Sequence, residues 1–175
     1  MSGMLPRVVL LVAVAASLAL GQQSTGSKSA AAAKFIGAWR LISIEDHRPN
    51  VVYPARDPQG YIVYDSTGHI FVQFALRKDR PRFASEDLTK ATAQEKAAAL
   101  DGYTAYFGTY TVNEAAGTVT HHLENHLIPN NAGKDYIRYY EFSGDHISLI
   151  PTTLEKGKLA PKSSGLRRLT WERVK

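Results

Sequence analysis

The stretch YTAYFGTYTVNEAAGTVTHHLENHLIP, Tyr103–Pro129, decides how this chain is read. Two runs rich in Tyr, Thr and Val, side chains that suit a pleated half-buried surface, flank a short polar turn closed by Gly117, a residue free to take positive φ. Pairing Asn113 with Thr118 across that turn sets a register. Val112 then faces Val119, Tyr110 faces His121, Gly108 faces Leu123 and Tyr106 faces Asn125. The opposite face carries Thr111, Thr109 and Phe107 against Thr120, His122 and Glu124, followed by His126. The first face is the more apolar and is expected to point into the core. A slip of one residue would exchange the two faces.

The same grammar extends in both directions. Eight runs of Val, Ile, Tyr, Phe and Thr separated by turn residues read as strands over 35–45, 59–65, 69–76, 103–113, 118–128, 135–143, 146–152 and 166–174. Gly68, Gly117 and Gly144 mark three tight hairpins, so sequence neighbours become spatial neighbours. The one helical signal is TAQEKAAAL, where Thr92 and Glu95 form a capping box between strands three and four. Eight antiparallel strands joined this way close into an up-and-down barrel, or stack as a two-sheet sandwich.

Motifs spread along the chain bear on that choice. Gly37-Ala38-Trp39 opens the first strand, and Trp171-Glu172-Arg173 near the end can supply an arginine to cover that tryptophan. Together with GYIVYDSTGHI, RPRF and RYYEFSGDHISL, they make residues 35–174 similar to the bacterial and fungal lipocalin-like domain family. The resemblance implies a calycin-type barrel, so the eight antiparallel strands, with one short helix between strands 3 and 4, are expected to form an all-β up-and-down barrel. It implies no single activity, because such barrels serve as carriers and as cofactor-free isomerases or cyclases.

The termini and composition add a setting. Arg7 followed by the uncharged run Val8–Leu20 and small residues has the order of a secretory signal peptide, expected over 1–21. The run is shorter than the roughly 20 residues that span a bilayer, so no stable membrane insertion is expected after cleavage. Residues 22–34 read as a flexible linker and 35–175 as the barrel domain, giving a secreted or periplasmic protein. With no cysteine, the fold relies on packing, and thiolate metal sites are excluded. The net charge of +5 is scattered and comes with no nucleic-acid-binding module, so no nucleic-acid partner is expected. Gly-x-Ser-x-Gly and phosphate-binding glycine loops are missing as well.

Candidate site residues follow from the faces. His121 beside Tyr110, with Tyr106 and Asn125 one pair further, makes a small polar cluster on an apolar wall. In the Gly144 hairpin, Tyr140 and Arg138 share the inward face, and an inward arginine needs either a carboxylate or an anionic ligand group. Expected ligand contacts are therefore Tyr106, Tyr110, His121, Asn125, Arg138 and Tyr140, around a small, mainly apolar molecule. In the enzymatic alternative His121 acts as acid or base with Tyr110 as its partner. A third reading is a structural domain with a filled core. The row His122, Glu124 and His126 has metal-ligand types, but its ends lie roughly 13 Å apart on an extended strand, so no metal and no cofactor are expected. Gln73 is a lone amide on a strand whose inward face is undetermined, and Arg77–Phe83 reads as a loop at the barrel mouth.

Overall fold

The computed structural model describes residues 30–51 and 54–175. The expected signal peptide and residues 22–29 of the expected linker lie outside the described residues. All three glycine turns form hairpins. Gly68 joins β2 (Gln59–Tyr64) to β3 (His69–Ala75), Gly117 joins β4 (Tyr103–Asn113) to β5 (Thr118–His126), and Gly144 joins β6 (Asp135–Ser143) to β7 (His146–Thr152). Their φ angles are 99°, 64° and 56°, a region that costs an L side chain energy and glycine nothing.

Closure comes from β1 (Gly37–Asp46), which pairs with β2 on one side and with the last strand, Arg167–Arg173, on the other. A minor hairpin, β8 (Leu154–Glu155) and β9 (Lys158–Leu159), precedes that last strand, which is therefore β10. The ring β1-β10-β7-β6-β5-β4-β3-β2 is a closed antiparallel barrel, as the sequence led us to expect. Closure leaves the barrel itself without a free edge.

The helix α2 (Ala93–Asp101) lies between β3 and β4 and starts with the expected reciprocal cap of Thr92 and Glu95. The stretch read as linker differs at its end: Ala30–Phe35 forms a second short helix, α1. Its alanines favour a helix intrinsically, and barrel contacts hold it. Ala31 N–H donates to Glu114 Oε1 at 2.8 Å, and Arg173 donates to the carbonyls of Lys34 (2.6 Å) and Ile36 (2.8 Å).

These contacts put α1 at the end of the barrel where the three tight turns lie. Phe35, fully buried, meets Tyr64, Tyr140 and Phe142 with ring centroids 5.0–5.1 Å apart. Trp39, also fully buried, donates its indole N–H to the Phe35 carbonyl at 2.8 Å and is covered by the Arg173 guanidinium, 4.0 Å from its ring centre. The arginine-over-tryptophan arrangement is thus present, and this end is a closed floor. The opposite end carries the longer connections that follow β1, β3, β5 and β7.

Candidate functional site

β4 and β5 pair as expected from Asn113↔Thr118 through Gly108↔Leu123. Beyond that point the register shifts: Phe107 pairs with Asn125 and Tyr106 with His126. The cause is steric. Gly108 lies so close to β5 that a Cβ on it would sit 2.0 Å from the His122 carbonyl oxygen, and only glycine lets the extra residue of a bulge fold there. The bulge reverses the faces beyond it. Asn125, expected inward, is exposed, while His126, expected outward, turns in and stacks on Tyr106 with centroids 5.7 Å apart and an 11° interplanar angle.

His121 is fully buried on the inward face, and its bonds define its state. Arg138 Nη1 donates to Nδ1 at 3.1 Å, so that nitrogen is unprotonated and the ring hydrogen sits on Nε2. Nε2–H donates to the Tyr64 hydroxyl at 2.8 Å, and Tyr106 Oη lies 2.9 Å from Nδ1. Arg138 also donates to Tyr106 Oη (3.2 Å) and to the Tyr136 carbonyl (3.1 Å). Its guanidinium carbon lies 5.1 Å from the Tyr136 ring centre and 5.9 Å from that of Tyr106. Burial drives the His121 pKa well below its ordinary value, with the Arg138 charge acting in the same direction. Burial also raises the Tyr64 and Tyr106 hydroxyls. At neutral pH the network therefore holds one charge, the Arg138 guanidinium.

Tyr110 is the cross-strand neighbour of His121, yet its hydroxyl donates to the Asp65 carbonyl at 3.1 Å. The partner of His121 on that side is Tyr64, which sequence reasoning missed. Tyr140 is inward but packs with Phe35 and Phe142 on the floor. His122 is tied on the outer face to Asp135 (2.7 Å) and Thr111 (2.9 Å), and among the described residues no cluster of three His, Cys, Asp or Glu groups has metal-binding geometry. Gln73 is exposed and accepts from Tyr103 at 3.2 Å, which settles the inward face of β3 as Ile70, Val72 and Phe74.

Above this network a cavity of about 510 Å³ opens between the mouth connections. Its wall includes Phe74, Tyr106, His126, Tyr136, Arg138 and Arg167. A larger depression, about 740 Å³, lies on the barrel flank between Arg40, Tyr61, Lys78, Arg80 and Glu172, away from this network. A family model described as a lipocalin-like domain matches residues 36–174. The chain belongs to the lipocalin-like domain family. No curated protein matches it.

In this lipocalin-like barrel the expected residues divide by height. Tyr106 and Arg138 reach the cavity; His121 supports them from below; Tyr110 and Tyr140 lie lower; Asn125 is outside. His126 accepts the Ile128 backbone N–H at Nδ1 (2.8 Å), which puts its hydrogen on Nε2 as a donor. Arg167 is partly buried, and its Nε finds no hydrogen-bond partner among the described residues. Asp46 Oδ2 lies 3.5 Å from that Nε, but Asp46 is bound more closely by Arg48, at 2.6 and 2.7 Å. His126, Tyr136, Arg167 and Phe74 had no place in the sequence-based site. Alternation back from Trp171 and Leu169 gives one signal for Arg167, and Gly108 gives a local hint of the bulge.

Proposed function

We propose that this lipocalin-like barrel is a secreted protein that binds a small, mainly apolar molecule in the cavity at its open end. The observation that carries the reading is the contrast between the two ends. The floor is filled by Phe35, Trp39, Tyr140 and Phe142, whereas the mouth keeps a cavity of about 510 Å³, within the range of small-molecule sites. Its wall joins apolar surface from Phe74, Tyr106, Tyr136 and Pro151 to a few polar groups, the composition that orients an apolar ligand.

For the isomerase or cyclase alternative, the geometry gives His121 no route to a ligand. It is fully buried, its Nδ1 lone pair is engaged by Arg138 and Tyr106, and its Nε2–H is engaged by Tyr64. Its role is to position Arg138 and Tyr106.

Native mass spectrometry of protein purified from its own host tests the binding reading: a co-purifying small molecule is expected. Tryptophan fluorescence gives a second readout, because Trp171 packs edge-on against Phe74 of the cavity wall at 5.9 Å. A saturable fluorescence change with apolar probes is expected. An apo mass together with no saturable response would overturn the reading.

A further inference from the structure

We infer that the cavity selects amphiphiles with a single anionic head group of the carboxylate kind, held at Arg138 and Arg167 with the apolar tail among Phe74, Tyr136 and Pro151. This inference rests on the cavity being a ligand site. It starts from charge. Two guanidiniums line one cavity, and the only carboxylate in the same wall, Asp135, is hydrogen-bonded to His122 on the outer face. Every hydrogen bond of Arg138 goes to a neutral acceptor: His121 Nδ1, the Tyr106 hydroxyl and the Tyr136 carbonyl. A partly buried cation solvated only by neutral dipoles is stabilised further when an anion reaches it.

Arg167 supplies the second, independent observation. Its buried Nε–H lacks a hydrogen-bond acceptor among the described residues, which is unfavourable unless something fills that role. Asp46 is the nearest carboxylate, and it is shared with Arg48. Burial and the like charges of Arg48 and Arg138 all act against the Arg167 cation, with Asp46 alone opposing them. A carboxylate entering the cavity places beside both guanidiniums the anion that the neutral partners of Arg138 and the shared Asp46 do not supply. The planar forks of two guanidiniums match its geometry. The Nε2–H of His126 adds a neutral donor to the same wall.

A cationic head is opposed by both arginines. The tail has to be short, since the filled lower barrel stops it at the level of Tyr106 and the buried His121.

The experiment is calorimetry of the purified protein with decanoate, 1-decanol and decylammonium at neutral pH. Decanoate is expected to bind about tenfold or more tightly than 1-decanol, and decylammonium more weakly than either. Arg167→Gln and Arg138→Gln should each cut decanoate affinity about tenfold and lower 1-decanol affinity by a clearly smaller factor, so that the preference for decanoate shrinks. The comparison among the three probes needs no variant, so it stands even if Arg138→Gln fails to fold. Equal binding of decanoate and 1-decanol would overturn the inference and leave the cavity reading intact. Binding of none of the three probes would overturn both.

Discussion

Replacing Gly108 by alanine tests the bulge that builds the cavity wall. The added Cβ would lie 2.0 Å from the His122 carbonyl oxygen, 2.9 Å from the Glu124 nitrogen and 3.0 Å from the His122 carbonyl carbon. All three are backbone atoms, so no rotamer change removes the clash. Bringing the oxygen to 3.0 Å, below which Cβ contacts essentially never occur, requires β5 to retreat by about 1 Å at the position where its register changes. Overpacking of this kind costs about 1–3 kcal/mol, and one weakened ladder hydrogen bond adds about 1 kcal/mol. The expected loss is about 2–4 kcal/mol, a large share of the roughly 5–15 kcal/mol that holds a domain together. Urea unfolding followed by tryptophan fluorescence and circular dichroism measures it. Gly117→Ala is the control: its φ of 64° costs an alanine about 1–2 kcal/mol, with nothing within 4 Å to clash. A Gly108→Ala protein within about 0.5 kcal/mol of wild type would refute the steric account of the bulge, and so would a smaller loss than that of Gly117→Ala.

Acid should weaken the fold through His121. Its folded pKa is depressed below the unfolded value of about 6.5, so its stabilising contribution is complete above that pH and is lost as pH falls, because only the unfolded chain takes up the proton. His126 is depressed in the same direction by its partial burial. Urea midpoints measured between pH 7 and 5 should fall in the wild type and fall less steeply in His121→Gln; equal slopes would remove His121 as the cause. At the floor, Arg173→Leu loses the cover over Trp39 and both carbonyl contacts to the α1 end, at an expected cost of about 2–3 kcal/mol. Hydrogen exchange should show Ala32–Phe35 amides exchanging faster in that variant, and unchanged protection there would refute the clamp.

Period-two alternation made the inward direction of side chains legible before any coordinate. It placed His121, Arg138, Tyr110 and Tyr140 on the inner face, and all four are there. Height along the barrel axis was not legible, because it depends on the stagger between strands and not on either strand's own pattern. Tyr110 and Tyr140 are inward yet belong with Phe35 at the floor, while Arg138, two residues before Tyr140 on the same strand, reaches the cavity. The Asn125 and His126 reversal had a different origin. A hydrophobic pattern records which side of its own strand a residue takes, whereas the bulge arises from a missing Cβ on the strand opposite. Arg167 escaped notice because β10 looked like a closing strand, and its orphaned Nε appears only once β1 and β7 flank it.

The polar network explains why a barrel with so large an aromatic core keeps a histidine at its centre. An apolar residue of similar volume at position 121 would pack against Tyr64 and Tyr110, but Arg138 would lose its acceptor at Nδ1 and Tyr64 its donor at Nε2. Each orphaned buried group costs about 1–3 kcal/mol. A neutral imidazole meets both demands at once, accepting on one side and donating on the other, and burial keeps it neutral. The consequence lies one layer higher. Arg138 is fixed by His121 below, Tyr106 beside it and the Tyr136 carbonyl, so its charge is presented to the cavity in a set position with little side-chain freedom left to lose on binding. Burying His121 and presenting Arg138 are one arrangement, so a substitution that loosens the network should weaken the proposed anion selectivity before it opens the barrel.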